Sequence, residues 1–169
     1  LRLDKTRILL LLIFSLAFFI RFYKLTEFIP FIGDQGWFYL SARDILTKGE
    51  IPLVGITSSR IWLHQGAYWT YMLVPIFKLF NFHPLAPAFL TSLLDVFALV
   101  IVYKLARKMF TEKIALIASL FYATSPLIIQ DARIPYHTSP ISFMTALFLY
   151  FNYKWITGKI IYFPLAILM

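Results

Sequence analysis

The chain has 169 residues, of which 60% are hydrophobic and 14% charged, and its mean hydropathy is +0.77. A soluble domain of this size cannot bury so much apolar surface, so a lipid bilayer is the expected solvent. The net charge of +8 does not indicate nucleic-acid binding, because the basic residues fall between apolar runs and not in one patch. The sequence contains no cysteine, which excludes disulfides, thiolate metal sites and a cysteine nucleophile within it.

Four apolar runs predict transmembrane helices, and together they indicate an all-α, polytopic membrane bundle. The predicted spans cover about 7–23, 85–104, 114–130 and 140–156, and a fifth starts at 160. The final apolar run, 160–169, would rise only about 15 Å as a helix, roughly half a bilayer. We therefore expect residues 1–169 to be the N-terminal part of a longer transmembrane domain.

Basic residues orient these spans. Arg2, Lys5 and Arg7 precede the first run, and a basic cluster at 104–113 follows the second. The positive-inside rule then places the N-terminus in the cytoplasm and a long loop, 24–84, outside the plasma membrane. The apolar stretch 66–82 is ambiguous: if it crossed, the basic cluster would move outside, so an interfacial or re-entrant helix is favoured.

The outer loop opens with "FIGDQGWFYLSARDIL". Phe38, Ala42 and Ile45–Leu46 recur at the spacing of one helical face, and Gly49 fits a helix end. This pattern predicts an amphipathic helix lying on the outer membrane surface. Asp34 would stand close to its N-cap, where a carboxylate commonly accepts a free backbone N–H. A structural capping role for Asp34 is therefore one interpretation.

Other polar side chains gather on the same side of the membrane, in "SSRIWLHQGAYW" and "QDARIPYHTSP". Each has a structural alternative: an arginine can anchor to lipid phosphate, a histidine can be a satisfied packing residue, and an aspartate can pair with a neighbouring arginine. Together they form a candidate substrate-binding set: Arg60, His64, Tyr68, Asp131, Arg133 and His137.

Asp95 lies near the middle of the second predicted span. A charge at that depth is expensive and normally faces protein interior or a polar path. It is either a hydrogen-bonding residue between helices or part of a transport pathway. The second interpretation defines a competing class, a transporter or flippase fragment; a non-catalytic membrane scaffold is the third class.

The order of these elements resembles a known family. A first span, "GDQG" at its exit, "HQGAYWTYMLVPIFKLFNFHPLAPAFLTSLLDVFALVIVYKLARKMF" and "SPLIIQDARIPYHTSP" are similar to the N-terminal module of GT-C glycosyltransferases, in the protein mannosyltransferase and aminoarabinose transferase-like group (family 39-like). The resemblance implies an inverting enzyme that transfers a hexosyl or pentosyl unit from a polyprenyl-phosphate sugar on the extracytoplasmic side. It implies that Asp34 is the acidic residue of the first loop, although many members have Asp-Glu where this chain has Asp34-Gln35.

The chemistry implied by the resemblance assigns roles to the candidate residues. Asp34 would take the proton of the attacking acceptor hydroxyl. Arg60 and Arg133 would meet the developing charge of the leaving phosphate in bidentate fashion. His64 or His137 would bind phosphate or a divalent metal, and Tyr68 would pack against sugar or prenyl chain. Such a metal is compatible with the family, but the sequence has no clear ligand spacing; the acceptor is a protein, lipid or polysaccharide.

Overall fold

The computed structural model describes residues 4–27, 29–31, 33–58, 60, 62–158 and 160–162, and this part of the chain is all-α, as predicted. Its helices are α1 (Lys5–Phe22), α2 (Gly33–Lys48), α3 (Tyr68–Leu79), α4 (Ala86–Met109), α5 (Glu112–Thr124), α6 (Pro126–Arg133) and α7 (Ile141–Ile156), with a 3₁₀ turn at Ile160–Tyr162. Strand-like pairing within the described ranges is limited to an isolated antiparallel bridge between Thr57 and His64. Gly49 ends α2 with a φ of +73°, as its position in the sequence predicted.

The helices fall on the predicted spans with different lengths. Within the described residues, α4 is long and apolar enough to cross a membrane alone, and α5 with α6 gives a second such segment if the pair is one span. Helix α1 carries Lys5, Arg7 and Arg21 among its 18 residues, and α7 has 16 residues. Crossing by α1 and α7, the orientation and the multi-pass arrangement therefore stay predictions.

The predicted span at 114–130 is not one straight helix. Helix α5 ends at Thr124, α6 begins at Pro126, and the two are bent by 56°. Proline has no backbone N–H to continue the helical ladder, and its ring disfavours helical geometry at Ser125 before it. The predicted fifth span begins as a 3₁₀ turn, and its remainder, 163–169, lies outside the described residues.

Helices α2 and α3 pack together within the long loop. Phe38 and Ala42 on α2 are fully buried in one cluster with Trp69, Leu73 and Phe77 of α3. The expectation that this apolar face of α2 lies on lipid is wrong, because α3 covers it. Helix α3 has 12 residues and rises about 18 Å, well short of a hydrocarbon core of about 30 Å.

Helix α4 is the centre of the fold and contacts α1, α3, α5, α6 and α7. Small residues are buried on α1, α4 and α5, which contact one another, and such residues let helix backbones approach closely in membrane proteins. These residues are Ala17, Ala98, Ala115, Ser119 and Ala123. Large apolar side chains point outward from the same helices: Leu12, Phe19 and Phe121 are 61%, 59% and 72% exposed, which suits a surface in contact with lipid.

Candidate functional site

The first loop and the connection between α6 and α7 meet through Asp34 and Tyr136. The Tyr136 hydroxyl donates a hydrogen bond of 2.7 Å to Oδ2 of Asp34. Asp34 is the second residue of α2, so it lies in the first turn and not at the N-cap expected from sequence. A carboxylate is favoured there by the positive end of the helix dipole. Asp34 is exposed, so its free oxygen is accessible to a substrate.

The connection that carries Tyr136 is held by its own hydrogen bonds. The Tyr136 N–H donates to the Ile134 carbonyl at 2.9 Å and to the Ser139 hydroxyl oxygen at 3.1 Å. The Ser139 N–H donates back to the Tyr136 carbonyl at 3.0 Å. Pro135 and Pro140 flank this turn and are both buried. The backbone that carries the Tyr136 side chain is therefore restricted by these hydrogen bonds and by the two prolines.

The hydrogen bond to Asp34 favours the protonated form of Tyr136. The bond to Asp34, together with partial burial and the negative charge of that carboxylate, raises the pKa of Tyr136 above its ordinary value. The phenol therefore stays protonated at neutral pH and remains a donor to Asp34. Asp34 keeps its second oxygen for another proton-bearing group.

His137 lies beside this pair. Its ring packs against Tyr136 with centroids 4.1 Å apart and against Phe38 of α2 at 5.6 Å. Burial lowers the pKa of His137, while the charge of Asp34 opposes that shift in part. The imidazole is therefore neutral at physiological pH. Its buried Nδ1 has no hydrogen-bond partner within the described chain, so a polar group entering from the adjacent cavity would find a bonding position there.

That cavity measures about 490 Å³ and runs from His137 along α7. Tyr68 lines it opposite Met144, with 3.9 Å between the Tyr68 hydroxyl oxygen and the Met144 sulfur, and Phe148 lies further along. Its walls are mainly apolar, and its polar groups are those of His137, Tyr68 and Thr145. Ligand sites commonly combine apolar walls with a few convergent polar groups in this way.

Arg133 and Asp131 lie on the last turn of α6. The Arg133 guanidinium donates to the backbone carbonyl of Tyr23, just beyond the end of α1. It also lines a cavity of about 500 Å³ with Gln130 and Pro30. Asp131 is exposed and has no ion-pair partner among the described residues, so the alternative in which it pairs with Arg133 is not observed.

Arg60 and His64 belong to a different part of the loop. Backbone hydrogen bonds pair 55–58 with 63–65 into a short hairpin, and Arg60 is exposed at its turn. His64 lines a cleft of about 840 Å³ with Trp37 and Asp44 of α2. No contact within the described ranges joins Arg60 or His64 to Asp34. The structure thus brings Asp34, His137 and Tyr68 to one region and does not bring these two residues into it.

Tyr136 belongs to the polar stretch "QDARIPYHTSP", but the sequence did not assign it to the site. Its position next to His137 was the available signal. No group of three or more histidine, cysteine, aspartate or glutamate side chains suited to a metal ion occurs in the described part of the chain.

Comparison with known proteins gives the chain a family. The model of the family described as "Dolichyl-phosphate-mannose-protein mannosyltransferase" matches residues 64–169, which include Tyr68, Asp131, Arg133 and His137. Asp34 lies before the matched range. A protein of Aquifex aeolicus (strain VF5), described as uncharacterized, is 31% identical over 140 residues. No solved structure matches the chain.

The alignment with the Aquifex aeolicus relative covers 82% of this chain but 28% of that relative, so the chain spans little more than a quarter of the relative's length. The family match covers well over half of the chain. It confirms the resemblance drawn from the sequence. The chain belongs to the dolichyl-phosphate-mannose-protein mannosyltransferase family, a family of membrane-integral glycosyltransferases.

Proposed function

We propose that residues 1–169 form part of an inverting membrane glycosyltransferase. The enzyme would move a hexosyl or pentosyl unit from a polyprenyl-phosphate donor to an acceptor hydroxyl on the extracytoplasmic side of the plasma membrane. The observation that carries the proposal is the exposed carboxylate of Asp34, held by Tyr136 beside the cavity that His137 lines. A carboxylate with one oxygen fixed and one accessible is the arrangement a general base requires.

The proposed reaction is a single displacement. The acceptor hydroxyl gives its proton to Asp34 as its oxygen forms a bond to the anomeric carbon from the face opposite the phosphate. The bond between that carbon and the phosphate oxygen breaks with its electron pair, and polyprenyl phosphate leaves. Tyr136 keeps its own proton and orients the carboxylate. The anomeric configuration is inverted because attack and departure take place on opposite faces.

The leaving phosphate needs nearby cationic or hydrogen-bonding groups. Arg133 is the proposed arginine, because it belongs to the helix that leads into Tyr136 and His137. The neutral His137 imidazole, whose Nδ1 is unused within the described chain, is a second proposed phosphate contact. Tyr68 would line the path of the sugar or prenyl chain. Asp131, Arg60 and His64 lie on the loops around this region and are proposed to contact acceptor or donor more peripherally.

The transporter alternative depended on Asp95 lining a path through the membrane. Asp95 is 3% exposed and bonds to Arg21 and Tyr122. The Asp95 carboxylate therefore forms hydrogen bonds between helices. The scaffold alternative required Asp34 to serve only as a helix cap, whereas its carboxylate bonds to a side chain 102 residues away.

The test uses the full-length protein that contains this segment, reconstituted in liposomes with a labelled polyprenyl-phosphate sugar. We expect labelled acceptor, release of polyprenyl phosphate and an inverted anomeric centre by NMR. Transfer only from a nucleotide sugar, or retention of configuration, would contradict the proposal.

A second experiment tests which side of the membrane the site faces. A membrane-impermeant thiol reagent is applied to Asp131→Cys in intact cells. Labelling from outside is expected, and labelling only after permeabilisation would overturn the proposed extracytoplasmic side.

A further inference from the structure

Arg21 is buried where α1, α4 and α5 meet. It is 0% exposed, and its Nε donates to Oδ2 of Asp95. The other carboxylate oxygen, Oδ1, accepts the hydroxyl of Tyr122 at 2.6 Å. A buried ion pair is disfavoured by the loss of hydration on both partners unless further hydrogen bonds satisfy them. The remaining bonds of Arg21 therefore indicate what this ion pair does.

One of those bonds stays within α1, from Nη1 to the carbonyl of Ala17 at 3.2 Å, and the others go to the end of α5. Nη1 of Arg21 donates to the carbonyl of Ala123 at 3.1 Å, and Nη2 donates to that of Tyr122 at 3.5 Å. In a continuous helix the Tyr122 carbonyl would accept from residue 126, which is a proline without an N–H. The break after Thr124 leaves the last carbonyls of α5 without helical donors, and Arg21 supplies replacements.

The same end of α1 also contacts the far end of α6. The carbonyl of Tyr23 accepts a hydrogen bond from Arg133, the last residue of α6. Helix α6 has eight residues. Its last residue is bonded to the chain just after α1, and Arg21 of α1 is bonded to the end of α5 just before α6 starts. Three residues after α6 ends, Tyr136 bonds to Asp34.

We propose that Arg21, with Asp95 and Tyr122, is a positioning group that fixes the bend between α5 and α6 and thereby places Tyr136 against Asp34. Its effect on transfer rests on the function proposed above; its effect on geometry does not. A group that only anchors α1 to α4 would change stability and leave the position of α6 relative to α2 unaltered. The two roles therefore predict different distances between α2 and α6 in the variants.

The distance is measured between spin labels on Thr47→Cys of α2 and Gln130→Cys of α6, both exposed, in the full-length protein. This segment contributes no native cysteine. Arg21→Lys keeps the charge, but an ammonium lacks the planar fork that reaches Asp95 and two carbonyls together. We expect a broadened or shifted distance, and a kcat about 10- to 100-fold lower with donor KM unchanged. Arg7→Lys, the same change on an exposed residue of α1, should leave both unaltered.

A second variant keeps the proposal testable if Arg21→Lys fails to fold. The double variant Arg21→Met with Asp95→Leu removes both buried charges and the free-energy cost of desolvating them. The protein should therefore reach the membrane at the wild-type level. It leaves the α5 carbonyls without the arginine, so the distance should broaden as in Arg21→Lys. A wild-type distance in both variants would overturn the positioning role, and an altered distance with wild-type kcat would overturn its effect on transfer. An altered distance in a protein that shows no transfer even as wild type supports the positioning role and refutes the proposed function.

Discussion

The hydroxyl of Tyr136 donates a 2.7 Å hydrogen bond to Asp34, and this bond joins the start of α2 to the connection between α6 and α7. The two residues are 102 positions apart in the sequence, so the tertiary packing of the helices brings them together. Helix α4, which contacts α1, α3, α5, α6 and α7, is the common support. The candidate base is consequently sensitive to changes far from it in the chain.

Loss of the Tyr136 hydroxyl should weaken catalysis without unfolding the protein. Tyr136→Phe keeps the ring against His137 and removes one hydrogen bond to a charged acceptor, worth about 1.5–3 kcal/mol when desolvated and less at this exposed site. We expect kcat to fall by about tenfold, measured with a labelled lipid-phosphate sugar.

The matched control is Tyr153→Phe, which removes a 3.0 Å hydrogen bond to the carbonyl of Lys108, near the C-terminal end of α4. That variant should retain wild-type kcat. Equal losses in the two variants would mean that Tyr136 acts through general stability and not through Asp34.

Burial of His137 predicts a pH-dependent stability. The pKa of His137 is lowered in the folded protein, so between that lowered value and about 6.5 the unfolded chain binds more protons than the folded one. Stability should therefore be complete above about pH 6.5 and decrease as the pH falls through that window. The charge of Asp34, the titratable group that faces the ring, reduces the effect but does not reverse its sign.

The measurement is the melting temperature of the purified protein from about pH 8 to about pH 5. His137→Gln should flatten the acid side of the curve. His64→Gln, a change at an exposed histidine, should not. A curve for His137→Gln that falls as steeply as the wild type's would show that His137 does not titrate in this way.

Gly55 should be intolerant of a side chain. A Cβ at this position would lie 2.6 Å from the carbonyl oxygen of Gly66 and still closer to that of Gln65. Both are backbone atoms of the facing hairpin strand and cannot move aside cheaply. Gly55→Ala should destabilise the hairpin that carries Arg60 and His64 by about 1–3 kcal/mol, seen as faster proteolysis within 55–65.

Gly66→Ala is the matched control, because a Cβ at Gly66 has nothing within 4 Å. It should be cleaved at the wild-type rate. If Gly55→Ala is equally resistant, the hairpin pairing between 55–58 and 63–65 is not maintained in solution.

The fold class, the helix end at Gly49 and the family followed from composition, helical spacing and motif order. The partner of Asp95 could not be predicted from these features. A charge within a span requires a partner, but the sequence does not indicate that Arg21, at the end of the first apolar run, is that partner. Helical periodicity gives no information about which residues face each other across 74 positions. The break before Pro126 was visible in the sequence as a proline, yet uninterrupted hydropathy across it favoured one span.

Only part of the candidate site was predicted, again because sequence patterns do not show which residues contact each other. Hydropathy places Arg60 and His64 on the same side of the membrane as Asp34, but the side of a membrane does not determine contact within a 60-residue loop. The apolar face of α2 was assigned to lipid because helical spacing cannot distinguish a lipid surface from a neighbouring helix. The neighbour is α3, whose Trp69 and Leu73 cover that face.

The central claim is that Asp34 is the general base of a sugar transfer, and it is tested most directly by single-turnover transfer with Asp34→Asn in the full-length protein. Asparagine still accepts the Tyr136 hydrogen bond but cannot take the acceptor's proton, so the transfer rate should fall by about 10²- to 10⁴-fold with donor binding retained. Asp44→Asn is the control on the same helix: its carboxylate is bonded to Arg43 and Lys48, which lower the pKa of Asp44, and its loss should leave the rate near wild type. A rate for Asp34→Asn that stays near wild type would contradict the account.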